Sequence, residues 1–165
     1  MRAGVPEPKD FWTADPKGEV PSTLSGARVL ELEALRQDLA GGALIVDVSR
    51  TQHRPEALPN GALWMPTPHR AIPGSHWWPG VGEGRLEADE ESAFRLKLES
   101  LTRADRSATV VFYCHERCWL SWNAAKRAVG YGYTHVEWYP DGIEGWTRAN
   151  LPTVTLDPES STGLP

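Results

Sequence analysis

Apolar runs along the chain predict a set of short buried strands. Mainly apolar and β-branched residues lie at 43–48, where Asp47 is the one charged residue, and apolar residues lie at 110–113. Both runs have the length of buried strands. Shorter strands are predicted at 28–30, 62–65 and 134–138. We expect the strands at 43–48 and 110–113 to be buried.

Helical patterns separate these strands. Leucines recur at helical spacing over residues 31–39, where two glycines then end the helix. An acidic first turn precedes apolar residues at helical spacing over 86–101. Two further helices are predicted at 121–127 and 143–146. Strands alternating with helices predict an α/β fold, with a central and mainly parallel sheet flanked by helices.

The chain divides into three parts by composition. Residues 1–25 are rich in proline and charge, and predict an extended N-terminal arm that either packs on the domain through its aromatic side chains or stays loose. Residues 26–152 form the predicted domain, and 153–165 form a predicted C-terminal tail. At 165 residues the chain suits one domain with a substantial core.

An irregular stretch at 51–86 interrupts the α/β pattern. It is rich in proline, glycine and tryptophan, and an irregular segment of this length usually has a function. His53, His69 and His76 lie in it without metal-ligand spacing, so we predict no metal site and interpret them as surface histidines.

Charge and hydropathy narrow the choice of partners. The formal net charge of -5 argues against nucleic acid or an anionic membrane surface. No apolar stretch reaches the roughly 18 residues of a membrane span. The first residues are polar and proline-broken, which leaves a cytosolic protein and an exported protein without its leader as alternatives.

Both cysteines of the chain lie in one short loop. Cys114 follows the strand at 110–113 and precedes a helix, a position that predicts a lowered thiol pKa because free N–H groups and the helix dipole favour the thiolate. Cys118 is the other cysteine, and two close cysteines are more typical of a reactive pair than of a disulfide scaffold. Asp47 ends the strand at 43–48, and we expect it at the same sheet edge as Cys114, where it either orders the next loop or, with Arg50, supports a site.

These segments occur in an order that resembles a rhodanese-type domain. The resemblance spans about residues 26–152 and rests on these pieces: Leu44-Ile45-Val46-Asp47-Val48, Ile72-Pro73-Gly74-Ser75, Cys114, Ala124-Ala125, Gly132-Tyr133-Thr134-His135-Val136 and Asp141-Gly142-Ile143-Glu144-Gly145-Trp146. More narrowly, the loop and helix Cys114-His115-Glu116-Arg117-Cys118-Trp119 and Ser121-Trp122-Asn123 resemble the CXXCW motif proteins, which are associated with pyrroloquinoline-quinone-dependent alcohol catabolism in bacteria.

The resemblance implies a site and a setting. Cys114 would accept a sulfane sulfur as a persulfide, and Arg117 with the loop amides would stabilise the anion. His115 would tune charge, while Glu116 and Trp119 complete the loop. Cys118 would attack the persulfide and release sulfide. The resemblance also implies a periplasmic protein, and we expect no bound cofactor.

Three functions stay open at this point. The first is sulfur transfer between a donor and an acceptor through Cys114. The second is thiol–disulfide exchange with a client thiol protein, with Cys114 and Cys118 acting as a C-x-x-C type of pair. The third is a binding module for a quinoprotein dehydrogenase or its cytochrome c, with exposed Trp77, Trp78 and Trp119 as interface anchors. Exchange with a protein requires an exposed Cys114, whereas transfer from a small donor requires a pocket around it.

Overall fold

Five parallel strands form the central sheet of the computed structural model, which describes residues 4–159. They are β1 (Ala27–Val29), β2 (Leu44–Asp47), β4 (His76–Trp77), β5 (Thr109–Tyr113) and β6 (His135–Trp138), in the sheet order β1-β6-β5-β2-β4. A second, two-stranded sheet pairs β3 (His69–Ala71) with β7 (Val154–Leu156) in antiparallel orientation. The predicted parallel sheet is confirmed.

Four helices cover both faces of the central sheet: α1 (Leu32–Ala40), α2 (Ala88–Thr102), α3 (Trp119–Gly130) and α4 (Gly142–Arg148). Successive residues of a strand point to opposite faces. Val110 and Phe112 of β5 therefore join a core with α2 and α3, whereas Val111 and Tyr113 join a core with α1 and α4. Because both faces are covered, the sequence of β5 is continuously apolar.

Two features of the segment at 51–86 differ from the sequence prediction. The strand predicted at 62–65 does not form, and the side chains of Leu63 and Met65 in it are exposed. Instead β3 and β4 form later in the segment. Strands of two or three residues leave no recognisable alternation in a sequence, so the pattern that predicts longer strands misses them.

The predicted C-terminal tail also contains paired structure. Residues 154–156 form β7, and the N–H of Glu159 donates to the carbonyl of Trp77 at 2.9 Å. The remainder of the predicted tail, residues 160–165, lies outside the described part of the chain. The described part of the tail, residues 154–159, therefore packs on the irregular segment at 51–86.

The N-terminal arm packs on the domain, which decides between the two alternatives left open by the sequence. The ring of Trp12 stacks on that of Trp119, and the Arg127 guanidinium lies 4.2 Å from the ring centre of Phe11. Among residues 4–159, no helix combines the length and the apolar character needed to cross a bilayer.

Candidate functional site

Cys114 and Asp47 lie at the same edge of the central sheet. Asp47 is the last residue of β2 and is in register with Tyr113, which ends the neighbouring strand β5 and directly precedes Cys114. This is the carboxyl edge of the parallel sheet, where ligands of open α/β sheets bind. The strand ends therefore place Cys114 where the sequence predicts it.

The Cys114 thiol is fully buried. Its sulfur lies 3.2 Å from the hydroxyl oxygen of Ser121, which also accepts a hydrogen bond from the indole N–H of Trp138 at 2.9 Å. Burial raises the pKa of Cys114 well above its usual value, and a hydrogen bond to the Cys118 sulfur raises it further. Cys114 is therefore a protonated thiol at neutral pH, and the lowered pKa that its sequence position predicts is wrong.

Cys118 is the thiolate of the pair. It is the residue directly before α3, and its pKa is lowered to about 7, chiefly by the hydrogen bond from Cys114. Burial opposes this shift, while the backbone N–H groups of Leu120 and His115 and the His115 charge add to it. The helix dipole thus acts on Cys118, because α3 begins at Trp119 and the loop separates Cys114 from the helix.

The spacing of the two cysteines differs from the motif to which the sequence is compared. His115, Glu116 and Arg117 all lie between them, so the arrangement is C-x-x-x-C and only loosely follows the C-x-x-C pattern. Both cysteines are free thiols in this structure. The extra residue is accommodated in a turn where Arg117 adopts a left-handed conformation, with φ of +53°.

The first residues of α4 pack against the backbone of the cysteine loop. The N–H of Ile143 donates to the carbonyl of Cys114 at 3.0 Å. A Cβ at Gly142 would lie 2.5 Å from the carbonyl carbon of His115 and 2.6 Å from the carbonyl oxygen of Cys114. Glycine at 142 is what lets the helix start and the loop backbone approach so closely.

Charged side chains around the loop are joined in pairs. The imidazole Nδ1 of His115 lies 2.8 Å from one carboxylate oxygen of Glu144, whose other oxygen accepts the Glu116 N–H at 2.8 Å. Arg148 contacts the Glu116 carboxylate at 2.9 Å. The hydrogen bond to Glu144 raises the pKa of His115, so its imidazolium persists to higher pH than usual.

Arg50, predicted as a supporting residue, is held by an acid. Its guanidinium contacts both carboxylate oxygens of Glu83 at 2.6 and 2.8 Å, a bidentate geometry that fixes its position. This hydrogen bonding raises the pKa of Arg50, and the nearby Cys118 charge adds to the shift. Arg50 therefore contributes positive charge near the Cys118 thiolate.

Asp47 is used in a buried structural network. One of its carboxylate oxygens accepts the N–H of Ser49 at 2.9 Å, and the other lies 2.6 Å from Nε2 of His69. The imidazole of His69 also stacks on Trp77 with ring centres 3.8 Å apart. The interpretation of His69 as a surface residue is therefore wrong: its side chain is 16% exposed. The sequence around His69 does not indicate this contact, because its partner Asp47 lies 22 positions away.

The predicted tryptophan anchors are not on the surface. Trp77, Trp78 and Trp119 are between 1% and 6% exposed, so the prediction that they are exposed is wrong. The ring of Trp119 stacks on that of Trp12 and makes an edge contact with that of Trp122. The apolar surfaces of these three tryptophans are buried in the core of this chain and are not available to a partner. This removes the main support for the binding-module hypothesis.

A Glu144→Gln variant is expected to raise the pKa of Cys118 by roughly 0.5. Loss of the carboxylate lowers the pKa of His115, so less imidazolium is present at pH 7 to stabilise the thiolate. The measurement is the pH dependence of Cys118 alkylation, with NMR titration of His115 in parallel. Glu116→Gln is the matched control, because it removes the negative charge that faces Arg148 and leaves the backbone N–H that holds Glu144. An equal shift in both variants would contradict the assignment.

Comparison with known proteins gives a consistent family match. The model of the rhodanese-like domain family matches residues 31–149. Among curated proteins, none matches the sequence significantly. The chain is similar to a human single-domain sulfurtransferase (25% identity, TM-score 0.46), with 73% of this chain and 95% of that chain covered. It is also similar to the polysulfide-sulfur transferase homodimer of Wolinella succinogenes (16% identity, TM-score 0.46), with 79% and 80% covered.

Proposed function

Because this chain belongs to the rhodanese-like domain family, we propose that it is a sulfurtransferase-type protein that takes up sulfane sulfur on its Cys114–Cys118 pair. The observation that carries the proposal is that two free thiols lie in one loop at the carboxyl edge of the sheet, with the Cys114 sulfur 3.2 Å from the Ser121 hydroxyl oxygen and Cys118 directly before α3. Cys118 has a pKa of about 7, and its hydrogen-bonded neighbour Cys114 stays protonated. A nucleophilic thiolate beside a second thiol can both accept a sulfur atom and release it.

The first step is attack of a thiolate on the outer sulfur of a donor. With thiosulfate as the donor, the Cys118 thiolate forms a new S–S bond, the S–S bond of thiosulfate breaks, and sulfite leaves with the electron pair. The product is a Cys118 persulfide anion. The N–H groups of Leu120 and His115, together with the charge of His115, favour negative charge on the Cys118 sulfur itself and so the attacking thiolate.

The second step is attack of the neighbouring cysteine on the inner sulfur of the persulfide. The thiol proton of Cys114 first moves to the outer sulfur of the persulfide anion. The resulting Cys114 thiolate then bonds to the Cys118 sulfur, and the outer sulfur leaves as hydrosulfide with the electron pair of the broken S–S bond. The sulfane sulfur is thereby reduced to sulfide while the two cysteines are oxidised to a disulfide. A thiol reductant must then restore the pair for another turnover.

The order of the two cysteines distinguishes this scheme from the one implied by the family resemblance. By family position Cys114 is the sulfur acceptor, and that assignment stays a prediction. The thiolate at Cys118 supports the reverse order, because the attacking sulfur must be deprotonated. Both orders end in the same disulfide and release the same sulfide.

The test is intact-mass and peptide mass spectrometry of the reduced protein after exposure to thiosulfate or to inorganic polysulfide. We expect a one-sulfur adduct on Cys118, followed by a disulfide and by sulfide in solution. A Cys114→Ser variant should accumulate the persulfide, because its resolving thiol is missing. An adduct found on Cys114 would reverse the order of the cysteines. Absence of both adduct and sulfide with either donor would refute sulfur transfer.

The wider setting is a separate part of the proposal. An accessory role in quinoprotein alcohol catabolism, beside a quinoprotein dehydrogenase or its cytochrome c in the periplasm, rests on the resemblance of the loop to the CXXCW proteins. Thiol–disulfide exchange with a client protein is the alternative function. Two adjacent free thiols suit it, but the full burial of Cys114 argues against it, because exchange with a protein requires an exposed sulfur. The mass experiment separates them: exchange gives a disulfide without a sulfur adduct.

A further inference from the structure

The N-terminal arm crosses directly over the cysteine loop. Lys17 pairs with Cys118 in an antiparallel bridge. On one side of this pair the N–H of Gly18 donates to the carbonyl of Arg117 at 2.9 Å, and on the other side the N–H of Trp119 donates to the carbonyl of Pro16 at 2.8 Å. The arm thus pairs with the loop as a short strand.

This pairing uses a backbone group that would otherwise be available to a ligand. The N–H of Trp119 is the first of α3, and the first N–H groups of a helix are the ones that bind anions. In this structure the carbonyl of Pro16 accepts the Trp119 N–H. The remaining amides of the helix start, those of Leu120 and Ser121, act on the two cysteine sulfurs. The arm therefore occupies the Trp119 N–H and leaves the amides of Leu120 and Ser121 to the sulfurs.

Side-chain contacts hold the arm in this position. The rings of Trp12 and Trp119 stack nearly parallel, with centres 4.4 Å apart. The buried amide of Asn123 accepts the N–H of Trp12 at 2.9 Å and donates to the carbonyls of Trp12 and Gly82, each at 3.0 Å. A buried amide with these backbone partners fixes the arm at Trp12, because leaving it unpaired is costly.

Gly84 and Lys126 of the domain also contact the backbone of the arm. A Cβ at Gly84 would lie 2.1 Å from the carbonyl oxygen of Trp12. The ammonium of Lys126 contacts the carbonyls of Pro8, Lys9 and Asp10 at 2.8 to 3.2 Å. These contacts are specific to the path of the arm, and they make the covered state of the loop the resting state.

We propose that residues 12–18 form a lid that restricts the cysteine pair to sulfur species of a few atoms, such as polysulfide or thiosulfate, and excludes thiols carried by folded proteins. The inference rests on the proposed function, because it names the substrate class of that site. Under the arm Cys118 is 8% exposed and Cys114 is not exposed, so a protein partner has no surface sulfur to approach. A small species needs only a narrow opening.

The test compares two maleimides of equal chemistry and different size, N-ethylmaleimide and a maleimide carrying a long polyethylene glycol chain. In the wild-type chain we expect Cys118 to react with the small reagent and at least about tenfold more slowly with the large one, each rate being taken relative to that of a free thiol peptide. Trp12→Ala removes the stacking partner of Trp119 and should raise the rate with the large reagent by about tenfold or more. The rate with the small reagent should change much less.

Glu7→Gln is the matched control, because Glu7 holds the far end of the arm through Thr23 and Ser25 and does not reach the loop. Hydrogen exchange of the Trp119 N–H gives a second readout: it should be protected in the wild type and in Glu7→Gln, and lose protection in Trp12→Ala. Equal rates with both maleimides in the wild type would overturn the lid. Because neither readout involves sulfur transfer, the lid and the proposed function can fail separately.

Discussion

A Cys118→Ser variant is expected to react with iodoacetamide at pH 7 at least about tenfold more slowly than the wild type. At this pH a thiol with a pKa of about 7 is about half ionised. An unperturbed thiol, with a pKa of about 8.5, is only about 3% ionised, and burial raises the pKa of Cys114 above its usual value. The thiolate is the form that reacts, and Cys118 supplies nearly all of it. Removing Cys118 leaves only the buried, protonated Cys114.

The reciprocal variants test how the thiolate is stabilised. The largest cause of the lowered pKa of Cys118 is the hydrogen bond from Cys114. Cys114→Ala removes that donor and should raise the pKa of Cys118, which moves the alkylation profile to higher pH. Cys114→Ser keeps a hydroxyl donor at the same position and should shift the profile less. These two variants differ by one oxygen atom, so they separate hydrogen bonding from loss of volume.

The alkylation rate is followed across pH 5 to 10, and the modified cysteine is identified by peptide mass spectrometry. Two results would contradict the assignment. One is wild-type labelling at neutral pH that falls mainly on Cys114. The other is a Cys118→Ser variant that keeps the wild-type rate, which would place the reactive thiolate at Cys114 as its position in the family implies.

The contrast between the two cysteines shows where sequence reasoning about the site ends. The buried run before Cys114 and the acid at the end of β2 correctly place the loop at the carboxyl edge of the sheet, because strand periodicity is a local property. The pKa of each thiol, in contrast, is not determined by the adjacent sequence alone. It depends on which residue begins α3 and on Ser121, His115 and the neighbouring sulfur, which reach the site through packing.

The same distinction applies to the arm and to the segment at 51–86. Proline and charge in the first residues predict an extended chain, but the sequence alone offers no partner for Trp12, since Trp119 and Asn123 lie more than a hundred positions away. Similarly, His69 has no metal-ligand neighbour in sequence, and its carboxylate partner Asp47 lies on another strand. Polar residues with distant partners look like surface residues until the fold brings those partners together.

A Gly142→Ala variant is expected to lose about 3 kcal/mol of unfolding free energy, and to loosen the cysteine loop. Gly142 has φ of +62°, a left-handed conformation that costs an alanine about 1 kcal/mol or more. In addition, a Cβ there would lie 2.5 to 2.8 Å from backbone atoms of His115, Cys114 and Glu116. Backbone cannot rotate away as a side chain can, so the loop and α4 must separate, which adds about 1 to 3 kcal/mol of overpacking.

Gly42→Ala is the matched control for this effect. Gly42 also has a left-handed φ, of +90°, but a Cβ there would meet no atom within 4 Å. This variant should lose only the conformational cost of about 1 kcal/mol. Chemical unfolding of both variants isolates the steric part as the difference between them.

The steric part should also appear in the chemistry of the site. When the loop moves away from α4, the N–H of His115 and the Cys114 thiol no longer approach the Cys118 sulfur as closely. The pKa of Cys118 should therefore rise in Gly142→Ala and stay near 7 in Gly42→Ala. If Gly142→Ala were no less stable than Gly42→Ala and kept the wild-type alkylation profile, the close contact between α4 and the loop would not be what positions the thiolate. The start of α4, distant from both cysteines in sequence, would then have no part in their reactivity.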